Sequence, residues 1–282
     1  MARKSIFDLL KDGNTLLNDE GRLTRYFSRE AVVRYGTRDL SLKDYVAAFC
    51  FSKWKGRGRC IDVADFLETI CYEGLRIDAR YNVDSFLTFL ELVLNFWNIV
   101  NNELEKEKAT VKAYCTFYNA GEFISECLAQ YNHKAVYYPD EEQVIVIEDK
   151  SEVTAVAEIV EPQLAKGILR YNHRSLQGDL EAKKSILLSM GAELEPRRGD
   201  MNTKDKDNED LIFFMLNNLN LRHNNVTEGD SRYKEELALM PEEELEGWYD
   251  ELYQMMLLAF LQLDNMERIE RVKDLKKRIC SK

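Results

Sequence analysis

The stretch that most limits what this chain can fold into is PEEELEGWYDELYQMMLLAFLQLDNMERIERVKDLKKR, residues 241–278. Pro241 stands where a helix can begin, because the first turn has no carbonyl partner for the N–H that proline lacks. Glu242, Glu243 and Glu244 follow, and Arg271, Lys273, Lys276, Lys277 and Arg278 fill the far end. Acid at the start and base at the finish are what a helix dipole favours. The stretch predicts one long helix. Such a helix takes its stability from burying an apolar side, so the surrounding sequence must supply neighbours.

The preceding ninety residues do so. SEVTAVAEIVEPQLAKGILRYNH carries Val153, Val156, Ile159, Val160, Leu164, Ile168 and Leu169 at helical spacing, with Pro162 predicting a kink. GDLEAKKSILLSMGAELE opens on a Gly-Asp cap and turns Leu180, Ile186, Leu187, Met190 and Leu194 to one side. RRGDMNTKDKDNED reads as a polar connection, and LIFFMLNNLNLRHNN as a third helix with Leu211, Phe214, Met215 and Leu219 inward. Four helices joined by short or polar loops predict an antiparallel bundle over 151–282.

The first half is also read as helical, with only 13 Gly and 4 Pro in the whole chain arguing against a turn-rich β fold. Ser41, with Asp44 in the following turn, predicts a capped helix. Further helices are expected at 62–75, 83–105 and 120–131. Residues 83–100 are the most apolar run, but Asp84, Glu91, Asn95 and Asn98 interrupt it. A buried core helix fits it better than a membrane span, which needs about 20 residues nearly free of charge. KAVYY and QVIVIE, either side of PDEE, predict a β-hairpin. His133 precedes its first strand and reads as structural. The expected fold is mainly α: a helical domain over 1–132, a hairpin connector over 133–150, and the bundle.

A net charge of −11 gives no global attraction to nucleic acid or an anionic membrane. Any such contact has to be local. SKWKGRGRCID gathers Lys53, Lys55, Arg57 and Arg59 around Trp54. It reads either as a phosphate-binding loop with an indole to stack on a base, or as a solvated loop. Cys50, Cys60, Cys71, Cys115, Cys127 and Cys280 show no CxxC or finger spacing, so they are expected to be reduced thiols of a cytoplasmic protein. The opening MARKSIFDLLKDGN is too short in its apolar part for a signal peptide. No metal site, cofactor or membrane contact is expected.

In up-down-up-down order, LRYNHRSLQGD and LRHNNVTEGD fall at the same end of the bundle. That end would collect Arg170, Asn172 and His173 with Arg222, His223, Asn224 and Asn225. A near-neutral histidine can exchange a proton, and an arginine grips phosphate with a two-pronged donor fork. Together they suit metal-free cleavage of an RNA phosphodiester. The same residues also suit a plain helix stop, since basic groups meet the last carbonyls and Asn tolerates a left-handed turn.

The segment from about 151 to 271 resembles a HEPN-type domain, of the kind found at the C-terminus of abortive-infection proteins of bacteria. ILRYNHRSLQGDLEAKKSILLSMGAELE, NLNLRHNNVTEGD and LEGWYDELYQMMLLAFLQLDN carry the likeness. It implies a HEPN-like bundle, homodimerisation through it, and RNA-directed work in phage defence or a toxin–antitoxin pair, often as a metal-independent ribonuclease. On this reading Arg222, His223 and His173 are catalytic, and Asn224, Asn225, Arg170 and Asn172, with Lys53, Lys55, Arg57 and Arg59, hold the substrate. The family signature is an arginine and then, after a short spacer, a histidine. Here His223 follows Arg222 directly. Two alternatives stay open: a non-catalytic helical interaction or scaffold protein that forms a homodimer, and a regulatory protein partner of a separate effector.

Overall fold

The computed structural model describes residues 16–70, 83–106, 111–223, 225–226, 228–230 and 233–280. The chain divides into two compact units, Met1–Glu148 and Asp149–Lys282. Both are built mainly of helices, with a small β component in the first.

In the first unit, α1 (Leu16–Ser28) leads into two short strands, β1 (Val33–Tyr35) and β2 (Arg38–Leu40), and then α2 (Leu42–Tyr45). Ser41 caps α2 as expected, its Oγ accepting from the Asp44 N–H at 3.2 Å. The chain continues through tight turns to α3 (Val63–Thr69), α4 (Val83–Lys106), β3 (Val111–Ala113), α5 (Cys115–Gln130) and the hairpin β4 (His133–Tyr138) and β5 (Gln143–Glu148). The helix expected at 62–75 ends at Thr69, with Ile70 as its C-cap, and residues 71–82 lie outside the described ones. β3 pairs with β1, giving an antiparallel sheet in the order β2-β1-β3, with Val33 opposite both Leu40 and Ala113.

α4 is the helix the apolar run predicted, and it is the spine of this unit. By length and composition alone it could cross a membrane, yet Phe86, Leu87, Phe89, Leu90, Val93, Phe96 and Val100 are buried in the core. Two of its polar interruptions have a precise use. Asn95 donates from Nδ2 to the Val144 carbonyl (2.7 Å) and accepts the Val144 N–H at Oδ1 (2.9 Å). Glu91 accepts the Val146 N–H at 2.6 Å. These side chains complete the hydrogen bonding along β5, whose other neighbour is β4. The hairpin is therefore part of the first unit and not a connector, and the division falls after Glu148.

The second unit begins with α6 (Ser151–Ala157) and α7 (Pro162–Tyr171). Pro162 starts a new helix where a kink was expected, because its fixed φ suits a first turn. α8 (Leu180–Leu194) opens on Asp179, whose Oδ1 accepts the Ala182 N–H at 3.0 Å. The supposed polar connection is helical: α9 (Arg198–Lys204) meets α10 (Lys206–Asn218) at Asp205. After α10 come α11 (Glu235–Leu239) and α12 (Glu242–Cys280).

α10 presents Ile212, Phe213, Met215 and Leu216 to the core, while Leu211 and Phe214, expected inward, are exposed. LIFFML is apolar all round, so its inward face is set by neighbours. Arg198 lies over the Phe213 ring at 4.0 Å, and Leu216 packs where α8 has Gly191. A Cβ on Gly191 would stand 2.9 Å from Leu216 Cδ1. α12 buries Tyr249, Leu252, Tyr253, Met256, Leu257, Ala259, Phe260 and Leu263. Beyond Leu263 no residue of α12 is buried.

Candidate functional site

The two loops expected to share one end of the bundle do both reach the first turns of α12. The Gly178 N–H donates to Glu246 at 2.8 Å, and the Tyr249 hydroxyl donates to the Leu219 carbonyl at 3.0 Å. Their functional side chains, however, do not converge.

His173 is buried and caps a short 3-10 turn. Its Nδ1 accepts the Ser175 N–H at 3.2 Å and lies 2.7 Å from Ser175 Oγ. Asn172 turns its Nδ2 into the protein, without a hydrogen-bond partner among the described residues. Arg170 lines a groove of about 760 Å³ between α7 and α8, together with Lys166, Asp179 and Glu193.

Arg222 goes elsewhere. Asn220, at φ 58°, takes the left-handed conformation that stops α10, and the Arg222 N–H donates back to the Leu216 carbonyl at 3.0 Å. The guanidinium pairs with Glu195 and lies 5.5 Å from the Phe213 ring centre. Glu195 follows the C-terminal end of α8, whereas the His173 loop precedes its N-terminal end. The fifteen residues of α8 lie between them, roughly 20 Å of helix. Expected as partners in one cleft, Arg222 and His173 are each held by local structure.

His223 is exposed on a cavity of about 350 Å³, lined also by Asn217, Asn218, Asn225, Val226, Lys234 and Leu237. Asn225 binds the backbone of residue 234 on both sides, donating to its carbonyl at 2.8 Å and accepting its N–H at 3.1 Å. Lys234 Nζ donates to Asn218 Oδ1. Asn224 lies outside the described residues. Of the residues assigned to this end, His223 and Asn225 share a cavity; Arg170, Asn172, His173 and Arg222 do not join them.

The basic loop of the first unit is also more internal than its sequence suggests. Trp54, expected to offer a face for a base, is only 5% exposed. Its Nε1 donates to the Glu142 carbonyl at 2.9 Å, and its ring meets Phe51, Phe66 and Phe96 edge-on. Gly56 crosses so close that a Cβ there would be 2.4 Å from the indole. The loop folds around its tryptophan because burying so large an apolar ring outweighs leaving it in water. Lys55 reaches Glu142 (3.9 Å) and the Asp140 carbonyl (3.5 Å), and Arg57 donates to the Cys60 carbonyl at 2.6 Å. Lys53 and Arg59 are exposed.

The polar cluster that sequence reasoning missed is centred on Lys183. This lysine is buried, with Nζ 2.8 Å from Glu246, 2.7 Å from Asp250 and 5.2 Å from the Tyr171 ring centre. The Lys183 hydrogen bond holds the Glu246 carboxyl below the usual range, against the effect of burial. Burial above all pushes the Tyr171 hydroxyl far up. Tyr171 in turn stacks on Tyr253, ring centres 4.0 Å apart. The signal was present: Lys183 falls on the Leu180–Leu187–Met190–Leu194 stripe of α8, where a charge has to be paired. Among the described residues no group of His, Cys, Asp and Glu could hold a metal ion.

No protein-family model matches the chain, and no curated protein and no solved structure shows significant similarity to it. What this site can do therefore rests on its own geometry. A buried histidine cap, an arginine held by a carboxylate and an exposed histidine in a polar hollow do not make an acid–base pair across one phosphate.

Proposed function

We propose that this chain is a non-catalytic assembly protein whose HEPN-like second unit works by helix docking. One observation carries the reading. α12 runs on from Asp264 to Cys280 with no buried residue, and that extension exposes Ile269, Val272, Leu275 and Ile279. Apolar side chains at helical spacing, left in water on a helix this long, fit a groove or a partner helix. The separation of Arg222 from His173 supports the non-catalytic half. A defence-system setting follows from the HEPN resemblance and stays a proposal with it.

An RNA cleavage assay in EDTA tests the catalytic point. Wild-type protein is expected to leave structured and single-stranded RNA intact. Cleavage that disappears in both Arg222→Ala and His223→Ala would restore the ribonuclease reading and sink this one.

The hollow beside His223 favours a second reading, RNA binding without cleavage. Lys234, the His223 ring and the Asn217 amide line it, while the Asn218 and Asn225 amides already donate to backbone carbonyls; the first three form a set that can hold a phosphate. On that reading the double variant His223→Ala/Lys234→Ala weakens binding to single-stranded RNA and flattens its salt dependence. Unchanged binding would exclude the hollow as the contact.

A further inference from the structure

The partner of the α12 extension can be named from its own chemistry. We infer that a second copy of this chain pairs with residues 264–280 in antiparallel fashion. This deepens the helix-docking reading and rests on it.

The first argument is the apolar face. With 100° between successive residues, Asn265, Ile269, Val272 and Ile279 fall within one narrow sector with Leu275 at its edge; Lys276 and Arg268 fall on the same side, where their long aliphatic stems can lie along the stripe while the charges stay in water. Val272 and Ile279 are 63% and 65% exposed. The intrahelical pairs Glu270–Lys273 (2.6 Å) and Asp274–Lys277 (3.2 Å) lie outside that sector. Both are exposed pairs that salt screens, and they contribute little. A helical segment of this length held by such pairs alone is marginal in water. A second helix against the stripe supplies what the segment lacks.

The second argument is charge order, and it selects both partner and direction. The first half of the extension holds Asp264, Glu267 and Glu270 against Arg268 alone. The second half holds Arg271, Lys273, Lys276, Lys277 and Arg278 against Asp274 alone. A parallel pair sets acid beside acid and base beside base. An antiparallel pair sets each acidic half beside a basic half, and opposes the two helix dipoles. The match lies in the net charge of the halves, an acidic first half against a basic second half, and in the level pair Glu267–Lys277. With Val272 at the two-fold axis, Asn265 of one copy comes level with Ile279 of the other.

The full-length protein tests this by light scattering across a concentration series, with oxidative cross-linking. The expected mass moves from monomer to dimer as concentration rises. Val272→Glu, on a face that packs against nothing in the unit, leaves the melting temperature of the core nearly unchanged and weakens association by roughly tenfold or more. In a Cys115→Ser/Cys280→Ser background, Asn265→Cys with Ile279→Cys forms a disulfide between copies that joins 265 to 279. Three results overturn the inference: a monomer at every concentration, a dimer that survives Val272→Glu, or ready Cys280–Cys280 bonding in the native chain, which marks a parallel pair. None of these reads RNA cleavage. They fail the self-pairing while the non-catalytic reading stands or falls on the EDTA assay.

Discussion

Lys183 shows how a single side chain can order one end of the second unit. It sits among apolar residues of α8, and its ammonium is satisfied by Glu246 and Asp250. Replacing it with Met removes the cation and leaves two carboxylates facing each other. The expected loss is about 2 kcal/mol, below the range for fully buried pairs because Asp250 is half exposed. The sign of the pH effect follows from Glu246. Its folded pKa is lowered, so its stabilisation is present above the ordinary glutamate value, about 4.3, and is lost as pH falls through the folded value. Urea midpoints measured from about pH 6 down to about pH 3 should fall steeply for the wild type. Lys183→Met should start lower and lose less over that window. Parallel curves would mean that Lys183 does not set the titration of Glu246. The same scale explains Arg222: once Asn220 turns the chain, its guanidinium meets Glu195, a residue twenty-seven positions away that no local pattern pairs with it.

Between elements, the docking of β5 on α4 makes a sharper test of polar burial. Asn95 satisfies both backbone groups of Val144. Asn95→Leu makes the run at 83–100 more apolar, and by hydropathy alone it should stabilise a core helix. The expected result is the reverse, a loss of about 2–4 kcal/mol, because a buried N–H and C=O are left without partners. Chemical denaturation measures it, and an unchanged midpoint would show that Val144 finds other partners. Much at this scale was legible beforehand. α4, α12, the hairpin and the caps at Ser41 and Asp179 follow from apolar spacing, charge order and short-range hydrogen bonding, all of which act within a few residues. β1, β2 and β3 were not legible, since three residues are too few to show alternation. Nor was the role of Asn95, which depends on a strand 49 positions away. At the candidate site, LRHNN reads as a helix stop, but the helix ends before it, at Asn218, with Asn220 taking the left-handed turn. The burial of His173 and the ion pair of Arg222 were not legible, because both are set by packing around α8.

At the scale of the molecule, each unit has its own buried core, one centred on α4 and one on α12, and among the described helices α12 runs furthest past the core it serves. That asymmetry separates stability from assembly. Ending the chain after Glu267 keeps Met266 against the core and keeps the Arg197–Glu267 pair, which spans 3.0 Å. It removes Ile269, Val272, Leu275 and Ile279, none of which belongs to the buried core of the second unit. Burial of apolar surface is the main favourable term in folding, so a segment that adds nothing to the core can be lost at less than about 1 kcal/mol. The shortened protein is therefore expected to unfold at nearly the same temperature as the full chain while its dimer mass disappears. Calorimetry and light scattering on one preparation read both quantities. A large drop in melting temperature would mean that residues 268–280 brace the second unit directly, and an unchanged dimer would move the contact off α12. A protein that keeps its stability and loses only its partner has spent the end of its longest helix on association.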